Sequence, residues 1–152
     1  MSDAPRTGPL TPYITVKDAG SALAFYRDAF GATERFRLTD PSGRIGHAEM
    51  SLGGSSLYLS DEFPDFGALS PTSIGGSPVK LHLYVDDVDS VVAKAAAAGA
   101  TILRPVSDQF YGDRSGMIVD PFGHAWFIAT HREDVTPAEM QRRWNAALQG
   151  SA

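Results

Sequence analysis

Residues 13–33 read YITVKDAGSALAFYRDAFGAT, and residues 82–101 read HLYVDDVDSVVAKAAAAGAT. In each stretch an alternating strand pattern leads through Val-x-Asp into a helical pattern that ends at Gly-Ala-Thr. The Val-x-Asp motifs begin at Val16 and Val85, and the Gly-Ala-Thr motifs follow at almost the same distance from them in both stretches. Gly54 and Gly123 are separated by the same stretch of chain as Val16 and Val85. This spacing predicts two copies of one structural unit in the chain.

Three short strand patterns follow each predicted helix, so each copy is expected to be a βαβββ unit. Ser21 and Asp89 are the expected helix N-caps. A further helix at 136–149 is predicted by the capping box Thr136 to Glu139. The expected strands are 11–17, 33–38, 45–52, 56–60, 79–85, 101–105, 115–119 and 125–130, and the expected helices of the two units are 22–30 and 90–98.

These patterns predict an α+β fold in one domain, residues 1–152, with units at 10–60 and 79–131. The connection at 61–78 is rich in Pro, Gly and Ser and shows no periodicity. It also carries Phe63 and Phe66, which are unusual in a free linker. A linker, a flap over a pocket and an arm against a second subunit all remain open.

The composition of the chain limits the kinds of partner that it is expected to bind. The chain has 43% hydrophobic and 20% charged residues and a formal net charge of −5, with no run of Lys or Arg. We therefore expect neither nucleic acid nor a membrane surface as a partner. The absence of cysteine excludes disulfides and thiolate sites. No segment reads as a secretory signal or a membrane span, so a cytoplasmic location is expected.

The order of the motifs resembles the vicinal oxygen chelate superfamily, which includes glyoxalases, bleomycin resistance proteins and dioxygenases. Ala22-Leu23-Ala24-Phe25-Tyr26 and Asp120-Pro121-Phe122-Gly123 carry the general likeness. Residues 81–87, LHLYVDD, and 110–116, FYGDRSG, are most similar to its PhnB-like branch. The resemblance covers roughly residues 10–130. It implies two modules whose mixed sheets curl into a cup, often completed by a second subunit, so a homodimer is expected.

In metal-dependent members of this superfamily four side chains, usually His, Glu or Gln, hold the ion. The matching positions here are Thr11, Tyr58, Lys80 and Phe127. Lysine and phenylalanine cannot ligate a divalent ion in their usual states, and threonine and tyrosine do so poorly. We therefore expect no metal and no other cofactor at these positions, which disfavours glyoxalase, extradiol dioxygenase and fosfomycin-type chemistry.

The resemblance implies that one face of each sheet points into the cup. The strand positions on these faces nevertheless carry polar and aromatic side chains. Strand alternation places Lys80, His82 and Tyr84 on one face. This face is either a half-solvated sheet surface or a ligand cleft. The turn at Tyr111 to Arg114 is either a plain hairpin tip or a clamp for an anionic or planar ligand. The candidate ligand-binding residues are Tyr13, Tyr58, Lys80, Tyr84, Tyr111, Arg114 and Phe127.

His47 and Glu49 project from one face of their predicted strand, because they are two residues apart. With His82 they are candidates for acid–base catalysis or for a relocated metal site. Three other residues are expected to have structural or no roles: His124 and Trp126 in packing, and His131 as a solvated residue after the last strand.

Two functions of different classes remain open. The chain is either a metal-free protein that binds and sequesters a small organic molecule, or an enzyme of lyase, isomerase or dioxygenase type. The missing ligands favour the binding protein, whereas the clustered His and Glu residues favour the enzyme.

Overall fold

The computed structural model describes residues 8–150. The N-terminal residues 1–7, where no secretory signal is expected, lie outside the described residues. The first module contains β1 (Tyr13–Val16), α1 (Ala19–Phe30), β2 (Thr33–Thr39), β3 (Ile45–Leu52) and β4 (Ser55–Asp61). The second contains β5 (Lys80–Tyr84), α3 (Val88–Ala97), β6 (Thr101–Asp108), β7 (Asp113–Val119) and β8 (Ala125–His131).

The connecting segment between the modules, residues 62–79, contains a 3₁₀ turn at Pro64–Phe66 and the short helix α2 (Pro71–Ile74). A C-terminal helix, α4 (Pro137–Gly150), follows the second module. The backbone N–H of Glu139 donates to Oγ1 of Thr136, as half of the predicted capping box requires. The predicted α+β architecture of two βαβββ modules and a C-terminal helix is therefore confirmed.

Each module forms a four-stranded mixed sheet, and the two sheets have the same strand order. The orders are β1-β4-β3-β2 and β5-β8-β7-β6. The first pair of each sheet is parallel, and the other pairs are antiparallel. Tyr13 lies opposite Tyr58, and His82 lies opposite Phe127. These two pairs are equivalent, and the offset between them is the one that the repeated sequence motifs predicted.

The predicted helix N-caps were wrong. The caps are Asp18 and Asp87, whose carboxylates accept the backbone N–H of Ser21 and of Ser90. Both helices thus begin almost directly after the preceding strand. The physical reason is that an Asp side chain can accept a hydrogen bond from the third helical residue, which satisfies a donor that the helix itself leaves free.

One hydrophobic core joins the two modules. It lies on the side of each sheet that carries the helices, and it includes residues of both α1 and α3. Trp126 packs against α1 as predicted, with its ring 4.8 Å from the ring of Phe30. Nε2 of His124 lies 2.9 Å from the backbone carbonyl oxygen of Thr15 in the other module. The opposite side of each sheet, called here the outer face, is left free of helices from its own module.

The edge strands β2 and β6 are exposed along most of their length. Large apolar side chains on them stand partly in solvent, among them Phe36, Leu38, Ile102 and Leu103, which are 44% to 59% exposed. Among the described residues, no helix is long and apolar enough to cross a membrane.

Candidate functional site

A chain of hydrogen bonds runs across the outer face of the first sheet. The hydroxyl of Tyr13 lies 2.8 Å from Nδ1 of His47, and Nε2 of the same imidazole lies 2.8 Å from Oε2 of Glu49. An ionised carboxylate only accepts hydrogen bonds, so Nε2 of His47 is the donor to Glu49. In the neutral imidazole Nδ1 then accepts a hydrogen bond from the hydroxyl of Tyr13. The chain is therefore oriented from phenol to carboxylate.

Charge and burial keep this phenol protonated. Partial burial raises the pKa of Tyr13, and the nearby charge of Glu49 raises it further, although a hydrogen bond with Ser60 lowers it. Tyr13 is 52% exposed, so its ring remains accessible from solvent. A raised pKa makes this phenol a weaker acid, and His47 is the group placed to accept its hydrogen bond.

Arg35 adds a positive charge beside Glu49. Its Nη1 lies 3.8 Å from Oε1 of Glu49, and both side chains are only 18% exposed. Its Nε donates to Oγ of Ser51 at 2.9 Å. The sequence analysis missed Arg35 because it lies on a strand whose alternation is interrupted. The register between β2 and β3 shifts between Glu34 and Phe36.

Aromatic rings surround the imidazole of His47. The ring centroids of Tyr58, Tyr13 and Phe36 lie 5.2, 5.4 and 5.8 Å from it. The rings of Tyr13 and Tyr58 also meet edge to face at 6.0 Å. The outer face of the first module is therefore an aromatic surface that carries a polar chain through its centre. We call these four side chains, Tyr13, Phe36, His47 and Tyr58, the aromatic cluster.

A cavity of about 500 Å³ adjoins the aromatic cluster at Tyr13. Tyr13, Thr15 and Ser60 line it from the sheet, and Phe63 and Phe66 line it from the connecting segment. The guanidinium of Arg44 lies 4.5 Å above the ring of Phe63. Of the three roles open for this segment, a cover over a pocket agrees with this geometry.

Glu62 holds the connecting segment in its folded shape. Its carboxylate accepts the backbone N–H of Ser70 and the hydroxyls of Ser70 and Ser73. These hydrogen bonds lower the pKa of Glu62 to about 2. The preceding residue, Asp61, accepts the backbone N–H groups of Ala19 and Ile45. The start of the segment is thereby tied to both α1 and β3.

The second sheet carries a separate cluster on its outer face. The ring of His82 lies 4.8 Å from that of Tyr84 and 6.0 Å from that of Phe127. Lys80 precedes them on the same strand face and is exposed. The structure thus brings His47 and Glu49 together and places His82 on the other sheet. Within residues 8–150, no group of three His, Asp or Glu side chains is arranged to hold a metal ion.

The positions that match the superfamily's metal ligands do not fit an ion. Thr11 precedes β1, Tyr58 belongs to the aromatic cluster, and Phe127 packs on His82. Lys80 is exposed, and an ammonium group has no lone pair to give to a metal. A site made of an ammonium, a phenyl ring, a phenol and a hydroxyl offers no sufficient set of ligands for a divalent cation.

Arg114 and Tyr111 belong neither to the aromatic cluster nor to the cluster around His82. Arg114 donates to both carboxylate oxygens of Asp89, at 2.8 and 2.9 Å, and also to Asp108, at 3.2 Å. Asp89 lies on α3, so Arg114 points to the helix side of its sheet and away from His82. The hydroxyl of Tyr111 lies 3.2 Å from Oγ of Ser115.

His131 is exposed at the end of the last strand, as predicted, with 53% of its side chain accessible, but it also makes two hydrogen bonds. Its Nδ1 lies 3.1 Å from Asp113 and its Nε2 lies 2.7 Å from Asp134. Hydrogen bonds to Asp134 and Asp113 raise its pKa. Strand patterns alone could not reveal this arrangement, because Asp113 is brought close only by the register in which β7 pairs with β8.

Comparisons with known proteins agree with this fold. The model of the Glyoxalase/Bleomycin resistance protein/Dioxygenase superfamily matches residues 8–128. An uncharacterized protein of Mycobacterium tuberculosis (strain ATCC 25618 / H37Rv) is 41% identical over 135 residues, which are 87% of this chain and 79% of that protein.

Solved structures give the same result. The At5g48480 gene product of Arabidopsis thaliana is 31% identical, with a TM-score of 0.64 over 80% of this chain and 98% of that one. TioX from Micromonospora sp. ML1 is 25% identical, with a TM-score of 0.64 over 82% of this chain and 98% of that one. A PhnB protein from Bacillus cereus, at 18% identity and a TM-score of 0.64 over 81% of this chain and 99% of that one, shares the fold.

Proposed function

The chain belongs to the glyoxalase/bleomycin resistance protein/dioxygenase superfamily, and we propose that it binds a small planar organic molecule without the superfamily's metal ion. The observation that carries the proposal is the aromatic cluster beside a cavity of about 500 Å³. Such a volume lies within the range of small-molecule sites. The protein would act by holding this molecule and withdrawing it from solution.

The chemistry of the first outer face favours a planar ligand with polar substituents. Aromatic rings attract other rings in stacked or edge-to-face geometry, beyond the effect of burying apolar area. Arg35, Glu49 and His47 supply one cation, one anion and one imidazole within the same surface. They would fix the orientation of a ligand whose ring lies against Tyr58.

We further propose that the working form is a homodimer. The outer faces and the edge strands β2 and β6 expose large apolar side chains, including Phe36 and Ile102. Exposed apolar surface of this kind is typical of an interface. A second subunit would place its own outer face, with His82, Tyr84 and Phe127, opposite the aromatic cluster. Sedimentation velocity of the full chain tests this, and a monomer at micromolar concentration would contradict it.

A screen of planar aromatic compounds by thermal shift, followed by calorimetric titration of the hits, tests the binding function. We expect Tyr58→Ala to weaken the affinity for a hit at least tenfold, and Tyr58→Phe to retain most of it because the ring remains. Circular dichroism checks that both variants fold. Unchanged affinity in Tyr58→Ala would remove the first outer face as the site.

Metal content gives a second, independent check. The protein is exposed to iron, zinc, nickel and manganese, desalted, and measured by elemental mass spectrometry. Less than about a tenth of an ion per chain agrees with a metal-free site, because a dedicated site retains its ion through desalting. Near one ion per chain, lost in His47→Ala or in His82→Ala, would instead support a metalloenzyme.

The hydrogen-bonded chain of Tyr13, His47 and Glu49 favours acid–base catalysis as a second candidate function. Glu49 fixes the tautomer of the imidazole, and the phenol of Tyr13 lies on its other nitrogen. This arrangement is suited to moving a proton at the Tyr13 hydroxyl. For a compound that the protein converts, His47→Ala should abolish turnover while leaving affinity within a few fold. His82→Ala should do the same only if the second outer face completes the site. Turnover in both variants would rule out this candidate.

A further inference from the structure

A second cavity, of about 350 Å³, lies at the far end of the second module, away from the aromatic cluster. We call it the distal cavity. It is lined on one side by the end of β8, the segment 132–135 and Met140 of α4. Tyr84 and Tyr111 line the other side. The region that matches the superfamily ends at residue 128. Part of the wall of this cavity therefore comes from residues beyond the matched region.

The backbone around Gly112 holds the segment 132–135 in place. The carbonyl oxygen of Gly112 accepts the backbone N–H groups of Arg132 and Glu133. Gly112 has a φ of 100°, and a Cβ placed there would collide with the carbonyl oxygen of Glu133. Only glycine permits so close an approach in this conformation. The distal cavity is thus formed by fixed backbone contacts.

Aromatic rings form one side of the distal cavity. Tyr84, Phe110 and Tyr111 line it. The ring of Phe110 is held edge to face by Tyr111 at 5.1 Å and by Trp144 of α4 at 5.4 Å. The faces of such rings carry partial negative charge, so they attract cations.

Carboxylates form the other side. The side chain of Asp113 is only 6% exposed, and it accepts the hydroxyl of Tyr84 at 2.9 Å. His131 bridges Asp113 and Asp134. Arg143, the nearest arginine of α4, donates to Glu133, to Glu139 and to the backbone of Phe110. The basic side chain that is hydrogen-bonded to Asp113 is therefore His131, whose imidazole can lose its proton.

We propose that the distal cavity binds an organic cation, an ammonium group on an aromatic or alkyl body, with the charge toward Asp113 and the body against Tyr84 and Tyr111. Such a cation would take the place that protonated His131 holds between the two carboxylates. Rings and a desolvated carboxylate together select an organic cation over a metal ion, which needs more oxygen ligands than this cavity supplies. None of the residues of this site lies on the first outer face, although Tyr84 also belongs to the surface that the proposed dimer would bring opposite the aromatic cluster.

Titration of the full-length protein with benzyltrimethylammonium tests this proposal. Trp144 contacts Phe110 and so reports occupancy by its fluorescence, and calorimetry gives the stoichiometry. We expect saturable binding of one cation per chain. Benzyl alcohol and benzoate, which carry the same ring without the positive charge, should not bind at the same concentrations. Equal binding of benzyl alcohol, or no saturation by about 10 mM cation, would overturn the proposal.

Variants locate the site. Asp113→Asn should lower the affinity at least tenfold, because it removes the buried charge and keeps an acceptor for Tyr84. Asp108→Asn removes the same charge from an exposed position and should change the affinity less than twofold. If Asp113→Asn fails to fold, Asp134→Asn at an exposed position replaces it as the test variant. We expect it to lower the affinity for the cation about threefold. Wild-type affinity in the carboxylate variants, or an equal loss in Asp108→Asn, would contradict the site.

A pH series gives a separate readout. The titratable and charged groups around His131 are Asp113 of β7, Arg132, Glu133 and Asp134 after β8, Tyr84 of β5, Tyr111 of the hairpin and Arg143 of α4. As pH rises from 6 to 9, the imidazole loses its proton and ceases to compete for the carboxylates, so affinity for benzyltrimethylammonium should rise. Affinity that falls or stays constant over this range would contradict the competition. Tyr58→Ala should leave all of these results unchanged, which separates them from the function of the first outer face.

Discussion

The hydrogen bonds of His47 on the first outer face predict a single tautomer of its imidazole. Glu49 on one nitrogen and Tyr13 on the other leave one tautomer compatible with a neutral imidazole, protonated at Nε2. We expect long-range ¹H–¹⁵N NMR to show this tautomer in the wild type at pH 8. Glu49→Gln should give a mixture, because an amide can either donate or accept. A wild-type imidazole protonated at Nδ1 would contradict the orientation of the chain from phenol to carboxylate.

His131 provides the pH-dependent prediction at the residue scale. Its pKa is raised above the usual 6.5 because protonation strengthens the hydrogen bonds to Asp134 and Asp113. NMR titration should therefore find a pKa above 6.5, and Asp134→Asn should lower it toward that value. Asp108→Asn is the matched control and should leave the titration in place.

The sign of the effect on stability follows from the same shift. A histidine with a raised pKa in the folded state stabilises the fold fully below its unfolded pKa, and this contribution is lost as pH rises through the folded pKa. Urea denaturation of the wild type and of His131→Gln should therefore differ more at pH 6 than at pH 9. A larger difference at pH 9 would contradict the assignment.

At the scale of the element, strand alternation was sufficient to predict which side chains share a face. His47 and Glu49 do lie on one face, and so do Lys80, His82 and Tyr84. The sequence did not predict Arg35 and Phe36, because the register shift in β2 lets two successive residues both contact the outer face. The helix N-caps were also predicted too late in the sequence. Each strand leads almost directly into its helix, so no loop between them marks where the helix begins. The contact of His131 with Asp113 depends on the register of the β7–β8 hairpin, which places these two residues opposite each other, and strand patterns alone do not give that register.

The connecting segment gives the prediction that belongs to this scale. Glu62 accepts hydrogen bonds from Ser70 and Ser73, and Glu62→Gln replaces the charged acceptor by a weaker neutral one. We expect faster hydrogen exchange over residues 62–74 and a lower affinity at the cavity that Phe63 and Phe66 line. Asp65→Asn, an exposed carboxylate in the same segment, is the control and should exchange as the wild type does.

Acid should have the same effect as this substitution. The pKa of Glu62 is about 2 in the fold, against 4.5 in a free side chain, so its contribution is present above pH 4.5. It is lost as pH falls from 4.5 toward 2. Exchange over the segment, taken relative to the intrinsic exchange rate at each pH, should rise across this range in the wild type and change less in Glu62→Gln. An identical response in both proteins would show that another group holds the segment.

On the scale of the whole molecule, the repeat explains both what the two modules share and how they differ. Equivalent positions such as Tyr13 and His82, or Tyr58 and Phe127, occupy the same places in their sheets. The outer faces are nonetheless chemically different. The first carries a closed hydrogen-bonded chain, whereas the second leads into the distal cavity. Core positions are constrained alike in both copies because they share one core, and the outer faces are free to diverge into separate sites.

A buried carboxylate adds a polar contact to the apolar junction of the modules. Asp120, which is 3% exposed, accepts the hydroxyl of Tyr26 from the first module at 2.6 Å and Nε1 of Trp126 at 2.9 Å. It also accepts the backbone N–H groups of Phe122 and His124. Burial and the charge of Asp120 raise the pKa of Tyr26 well above its usual value, so the phenol remains a donor across the ordinary pH range.

We expect Tyr26→Phe to lower the free energy of unfolding by about 1–3 kcal/mol, the usual contribution of a hydrogen bond to a buried charged group. Three donors would still serve Asp120, so the variant should fold and unfold in one transition. Tyr13→Phe, which removes an exposed hydroxyl, is the control and should cost less than about 1 kcal/mol. Urea denaturation followed by tryptophan fluorescence measures both. If Tyr26→Phe were as stable as the wild type, the hydrogen bond from Tyr26 to Asp120 would add nothing to the junction of the modules beyond their apolar packing and the contact of His124 with Thr15.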